Sequence, residues 1–375
     1  MTSAAVDGEL RAAVEARMPL IRDTATFITR HPELAHEERV SSAYLADTLA
    51  ELGLAVDKGV FGMDTCFRAV LRGGRPGRTV GLVMLFDAVA SVTPDGGFVP
   101  VHSCGHASIA GGIVGAAAAL AAMRDQLAGT VVVMGCPADE IHAPGTVARG
   151  GGKTLSVAAG GWDGIDAALY AHPEPIDTVW TESAWMRRDT ARVAGLRSLA
   201  RGADQPPLDA AMAAVMAARR LPAGEVMLEH MVLDGDVEEG GGVVMRAHFL
   251  IWAPHETGLD QLAGELRAAL PAEWNQGATV PAIRVDERVR SAVAEAQRAA
   301  GRDYVDSPPA LPFATDFGAI TRHVPGALIG VARAGGWSFH TPQGAREFAS
   351  EDGIRSAADM AEVIALSTRR LTEPS

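Results

Sequence analysis

Three near-continuous apolar runs, Thr79–Phe86, Thr130–Cys136 and Ile165–Ala171, constrain the fold of this chain more than any other feature. Each is short for a helix and lacks the polar alternation of a half-exposed strand, so each reads as a strand buried on both faces. Helical stretches precede and separate them: residues 7–30, broken near His31-Pro32; Ser41 to Leu52, ending before Gly53; and an apolar Gly/Ala segment over 107–123. Such alternation predicts an α/β fold on a largely parallel mixed sheet flanked by helices. Cys66–Arg72 and Thr79–Phe86 flank Gly-Gly-Arg-Pro-Gly, a hairpin signal. A Gly-rich loop with a short helix is expected over 145–160.

The pattern changes near residue 183. A strand (Trp185–Gly195), an Ala-rich helix over 208–220, a strand (Val243–Trp252) and a helix (Gly258–Leu270) make a small α+β insert. The alternation then resumes and closes with a helix over 350–371. A length of 375 residues suits two domains. The expected organisation is a discontinuous domain, 1–182 plus 284–375, interrupted by a lid over 183–283.

A net charge of −13 argues against a nucleic-acid or anionic-membrane partner. Three cysteines make no disulfide framework and suit a reducing compartment. The first twenty residues mix acids and bases with no apolar core, unlike a secretory signal. The apolar 107–123 segment falls short of a membrane span. These observations predict a cytoplasmic protein.

Chemistry concentrates in Val101-His-Ser-Cys-Gly-His106. Side chains two apart in an extended approach share a face, so His102, Cys104 and His106 are expected to look into one cavity. Asp87, Asp139-Glu140 and His172 end the three apolar runs, and His340 follows Val331–Phe339. Open α/β sheets build their sites at such strand ends. Imidazole, thiolate and carboxylate together suit zinc, manganese, cobalt or nickel rather than calcium. Of the adjacent pair Asp139-Glu140, one carboxylate can hold metal while the other takes a proton from water.

Singly, each residue has a plainer reading: a buried histidine, a small apolar cysteine, a helix-starting acidic pair, a turn-capping Asp87. Joint placement at strand ends points to a metal site. Asp316 reads equally as a supporting acid or a helix N-cap. His142, two residues past Glu140, reads as a surface loop residue ahead of a pocket-lining one.

The chain also resembles the aminoacylase and carboxypeptidase metallopeptidase family, in its branch of indole-acetyl-amino-acid and hippurate hydrolases. His31-Pro-Glu-Leu34 with Glu37-Glu38, Phe86-Asp-Ala88, His102-Ser-Cys-Gly-His106, Pro137-Ala-Asp-Glu140, Ala171-His-Pro173, Asp316-Phe-Gly318 and Phe339-His-Thr341 carry the likeness, in order. The resemblance implies that Cys104, His106, Glu140, His172 and His340 hold one or two divalent transition metals, zinc or manganese foremost. It implies Asp139 as general base, with Asp87 as a second catalytic carboxylate. It further implies a metal-binding catalytic domain and a homodimer formed through the lid.

Three positions depart from the family pattern. The base is usually Glu, one methylene longer than Asp139. An acid or amide usually follows Cys-Gly-His, where Ala107 stands. The lid usually carries Gly-Gly-His-Ala, whereas Val193–Ala200 has no histidine and offers Arg197 or Ser198 instead. The leading expectation is a metal-dependent hydrolase that cleaves a C–N bond of a small molecule, by default an N-acyl or N-aroyl amino acid. Hydrolytic deamination of an activated aromatic amine is the alternative, since no carbonyl oxyanion then needs the lid histidine. An inactive binding protein on the same fold is a third reading.

Overall fold

A computed structural model describes residues 3–196, 206–221, 225–236, 242–311, 313 and 315–374. Three helices open the chain: α1 (Ser3–Glu15), α2 (Met18–Arg30) and α3 (Arg39–Glu51). Strands β1 (Ala55–Lys58), β2 (Phe67–Arg72) and β3 (Arg75–Met84) follow, then a separate hairpin of β4 (Val89–Val92) and β5 (Phe98–Val101). Next come α4 (His106–Ala122), β6 (Ala128–Gly135), α5 (Pro144–Arg149), α6 (Gly152–Ala158), β7 (Ala167–Glu174) and β8 (Asp177–Val179). The insert holds β9 (Trp185–Leu196), α7 (Pro206–Arg220), β10 (Val226–Asp236), β11 (Gly242–Ala253), α8 (Glu256–Ala269) and β12 (Glu273–Val280). The chain closes with α9 (Glu287–Ala299), β13 (Tyr304–Val305), α10 (Phe317–His323), β14 (Gly326–Ala332), α11 (Pro342–Phe348) and α12 (Glu351–Thr372).

The large sheet runs β1-β2-β6-β3-β7-β14-β8-β13, and its centre, β6-β3-β7-β14, is parallel. This is the mixed, helix-flanked sheet that the apolar runs predict. The hairpin expected between β2 and β3 does not form. β6 lies between them, antiparallel to β2 and parallel to β3. Gly73 and Gly74 donate backbone hydrogen bonds to Gly129 and Arg124, both 2.8 Å, so the glycine pair marks the close passage of a third segment. The helix expected over 7–30 is two, with Pro19 in the first turn of α2, where its missing N–H leaves no bond unmade.

Helix α4 is buried on every side from His106 to Leu120 and packs against α2 and α12. Its glycines permit that approach: a Cβ on Gly112 would meet the Ala357 carbonyl oxygen at 2.9 Å. Gly105, at φ 98°, turns the chain into this helix.

Two compact units result, Met1–Glu182 with Ile283–Ala310 and Asp316–Ser375, and Ser183–Ala282 with Leu311–Thr315. The second unit is an antiparallel sheet, β10-β11-β9-β12, with a core built from Ala214 of α7, Leu259 and Leu266 of α8, and Phe249 and Ile251 of β11. It has four strands where the sequence shows two. Arg197 and Ser198, the candidates to replace the lid histidine, lie outside the described residues.

Candidate metal centre

Five side chains converge at the ends of the central strands and the start of α4. Cys104 Sγ, His106 and His172 form one group whose donor atoms all lie within 4.8 Å of one another; Cys104, Glu140 and His340 form a second. Cys104 is common to both. His340 Nε2 lies 3.2 Å from the Cys104 sulfur and 3.7 Å from Glu140 Oε2. His172 Nε2 lies 3.8 Å from that sulfur. These are the five positions that the sequence motifs single out.

Local chain geometry explains the convergence. β5 stops at Val101, so the strand alternation expected for His102, Cys104 and His106 does not continue. The turn through Gly105 brings Cys104 and His106 together instead. His102 is buried outside both donor groups, its imidazole pushed down to about 3 by burial. His172 lies near the end of β7, a strand buried along its whole length. His340, at φ 57°, is tied to the same place by its own N–H, which donates to the Ser103 carbonyl at 2.9 Å.

A second layer orients these donors. His106 Nδ1 donates to the Asp87 carbonyl at 2.8 Å and lies 2.9 Å from Asp87 Oδ1, which turns Nε2 toward the cluster. His172 Nδ1 donates to Glu174 Oε1 at 2.9 Å, with the same effect. The Glu140 N–H donates to Asp87 Oδ2 at 2.9 Å. Asp87 therefore orients two neighbours from a fully buried position. These contacts place Asp87 directly behind the donor cluster, on His106 and on the Glu140 backbone. Ala107 is buried and offers no polar group, and Asp87 and Glu174 do the orienting.

Asp139 has a partner that the sequence reading missed. Lys153, fully buried at the start of α6, is ion-paired to Asp139 Oδ1 on one side and to Asp316 Oδ1, 2.6 Å away, on the other. Asp139 Oδ2 lies 3.3 Å from His106 Nε2, so the shorter aspartate still reaches the donor cluster. Burial alone would raise the Asp139 carboxyl, but the Lys153 charge and the close His106 imidazole hold it far below the usual carboxylate range. Asp316 holds both readings in part: its ion pair with Lys153 is that of a supporting acid, and although its side chain makes no cap bond on α10, Oδ2 accepts the Thr154 N–H in the first turn of α6 at 3.3 Å. His142 is exposed, as its loop reading expects. A lysine after three glycines carries no local signal of burial, which is why it escaped notice.

The donor set fits a transition metal. Burial would raise the Cys104 thiol, yet the surrounding imidazoles of His106, His172 and His340 hold it well below its ordinary value. A thiolate at the N-terminus of α4 also gains from the helix dipole. Among the described residues, His106 Nε2 and Glu140 Oε1 are buried with no hydrogen-bond partner, 3.8 Å apart. Two such orphaned donors beside a thiolate are what a bound cation satisfies.

Comparison with known proteins places the chain in peptidase family M20/M25/M40, whose profile matches residues 84–367; the chain belongs to that family. It is the metallopeptidase family whose motifs the sequence displays. The chain is 32% identical over 173 residues to a p-aminobenzoyl-glutamate hydrolase polypeptide of Escherichia coli (strain K12), covering 43% of this chain and 34% of that protein. It is 32% identical over 151 residues to thermostable carboxypeptidase 2 of Saccharolobus solfataricus (strain ATCC 35092 / DSM 1617 / JCM 11322 / P2), covering 39% and 37%. The matched stretches thus span little more than a third of these relatives. In fold, the chain is similar to the Bacillus subtilis YXEP protein, a dinuclear metal binding peptidase from the M20 family, with a TM-score of 0.65 at 19% identity over 94% of this chain and 98% of that one.

Proposed function

We propose that the protein is a metal-dependent amidohydrolase that cleaves the amide bond of a small N-acyl or N-aroyl amino acid. The observation that carries this reading is the pair of donor groups joined at Cys104, with the Asp139 carboxylate beside them. Cys104, His106 and His172 would hold one divalent ion, and Cys104, Glu140 and His340 a second; zinc and manganese suit this mixture of donors. Bound there, such an ion supplies Lewis acidity and a water acidic enough to attack at neutral pH.

The chain's own residues do the rest. Asp139, its Oδ1 tied to Lys153, takes the proton of the attacking water at Oδ2 and returns it to the leaving amine. Lys153 keeps that carboxylate ionised. Asp87 and Glu174 keep the two imidazoles in the tautomer that presents Nε2 inward. His340 is half-exposed, which leaves an open side for substrate. The name of the Escherichia coli relative, a hydrolase of an aroyl-glutamate, supports the aroyl-amino-acid class. A free thiolate at the centre suits a reducing compartment such as the cytoplasm.

The first unit is the metal-binding catalytic domain in this reading, and the second is a lid that forms a homodimer. Support for the dimer lies on α7, which buries small residues, Ala210, Ala214 and Ala217, and exposes large ones, Leu208, Met212 and Met216. Edge strand β10 exposes Met231 and Leu233.

The test is metal content and product analysis of the purified protein with p-aminobenzoyl-glutamate. Wild type should carry one or two ions per chain and release glutamate; Glu140→Ala should lose at least one ion and nearly all turnover. Ammonia without glutamate, from an aromatic amine, would move the reaction to deamination. A protein that takes up no metal would sink the reading.

A further inference from the structure

Besides His340, two residues near the metal centre have left-handed backbones without being glycine: His36 at φ 66° and Ala138 at φ 56°. Such a conformation is strained in an L-residue and persists only where its surroundings enforce it. One carboxylate oxygen serves both. Glu38 Oε1 accepts the His36 N–H at 2.8 Å and the Ala138 N–H at 2.9 Å, while Oε2 accepts the Thr65 hydroxyl at 2.8 Å. Glu38 is fully buried. Around it, three segments interlock: the His36 ring donates through Nε2 to the Gly150 carbonyl at 2.9 Å, and the Gly152 N–H donates to the Ala138 carbonyl at 3.3 Å. The Ala138 methyl packs with Ala35 and Ala143.

The two residues after Ala138 are Asp139 and Glu140, whose carboxylates reach the donor cluster. Asp87 fixes the far end of the turn through the Glu140 N–H, and Glu38 fixes the near end through Ala138. We propose that Glu38 is a positioning residue: its buried carboxylate clamps the left-handed Ala138 so that Asp139 and Glu140 are delivered together to the metal centre. What the turn presents rests on the metal reading above; the clamp itself rests on the backbone.

The experiment compares wild type, Glu38→Ala, Glu38→Gln and the double variant Glu38→Ala/Ala138→Gly. Two measurements are made: hydrogen exchange of the amides of residues 137–140 in metal-free protein, and affinity for manganese or zinc by titration. Gln retains an acceptor oxygen in place, so Glu38→Gln should protect these amides and bind metal at least as well as wild type. Glu38→Ala should speed exchange at residues 137–140 and weaken metal binding about tenfold, in the range for groups that support ligands. Glycine adopts the left-handed turn without strain, so the double variant should regain most of that affinity. With p-aminobenzoyl-glutamate, kcat should fall and recover in step while KM stays level.

Unchanged exchange and affinity in Glu38→Ala would overturn the proposal. So would a loss that Ala138→Gly leaves untouched, since a general loss of packing gains nothing from a glycine at that position. A wild type that binds no metal, with exchange still governed by Glu38, would overturn the metal reading and leave the clamp standing.

Discussion

Lys153 is the residue whose removal separates stability from chemistry. With Asp139 and Asp316 it forms a buried trio in which one cation faces two carboxylates. Lys153→Met leaves two uncompensated buried acids and should lower stability by about 3–5 kcal/mol, read by chemical denaturation. Adding Asp316→Leu removes one of those acids and should restore much of the loss. Turnover should stay low in the double variant, because Asp139 has lost the group that holds Oδ1. Parallel recovery of stability and turnover would make Lys153 a structural residue only. Glu38 gives a pH signature: burial, helped by the Asp87 charge, raises its carboxyl from 4.5 to about 7. The folded chain therefore holds a proton there that the unfolded chain releases, so this stabilisation is complete below pH 4.5 and is lost as pH rises through about 7. Glu38→Gln should remove that slope and gain about 3 kcal/mol relative to wild type at pH 8 over pH 4, measured by urea unfolding.

At the scale of elements, the sequence made legible whatever is buried on both faces. β3, β6 and β7 follow the three apolar runs, and α4 begins at His106, one residue from its expected start. That these side chains would gather was legible for a related reason, since strand ends are where an open sheet collects side chains, while the particular set of five came from the motif resemblance. Elements with exposed faces were not. β12 reads Glu-Trp-Asn-Gln-Gly-Ala-Thr-Val and is exposed or half-buried throughout, and β10, at the sheet's edge, has its apolar residues split by Glu229-His230; neither has a continuous apolar run to declare it. The pairing of β2 with β6 was invisible because it joins segments about sixty residues apart, whereas turn signals speak only of neighbours. The polar second layer escaped for a related reason: Asp87, Lys153 and Glu38 act on partners distant in sequence. Helix α4 offers a direct test of how packing supports the site. A Cβ at Gly115 would lie 2.5 Å from Ile21 Cγ1, so Gly115→Val should cost about 1–3 kcal/mol in chemical denaturation. Because α4 starts at His106, the same variant should also bind manganese more weakly by titration.

For the whole molecule, the decisive property is assembly. Helix α7 packs its alanines on the core of its unit and leaves a second apolar stripe uncovered, with Met212 65% exposed. In the proposed dimer a second copy covers that face, which twofold pairing allows because a patch can meet itself. Light scattering should give twice the 39.1 kDa chain mass, and Met212→Glu/Met216→Glu should give the single chain with its metal content intact. An unaltered monomer in wild type would remove the dimer.

One sulfur stands in both donor groups, and that makes the centre a single point of failure. Cys66 and Cys136 are buried, their thiols driven upward by burial, Cys66 to about 12, so oxidants meet them as inert bystanders. Cys104 is the thiolate that peroxide would find first. Its conversion to sulfinate would spoil both ion sites in one stroke, so inactivation should follow one exponential and release every ion together.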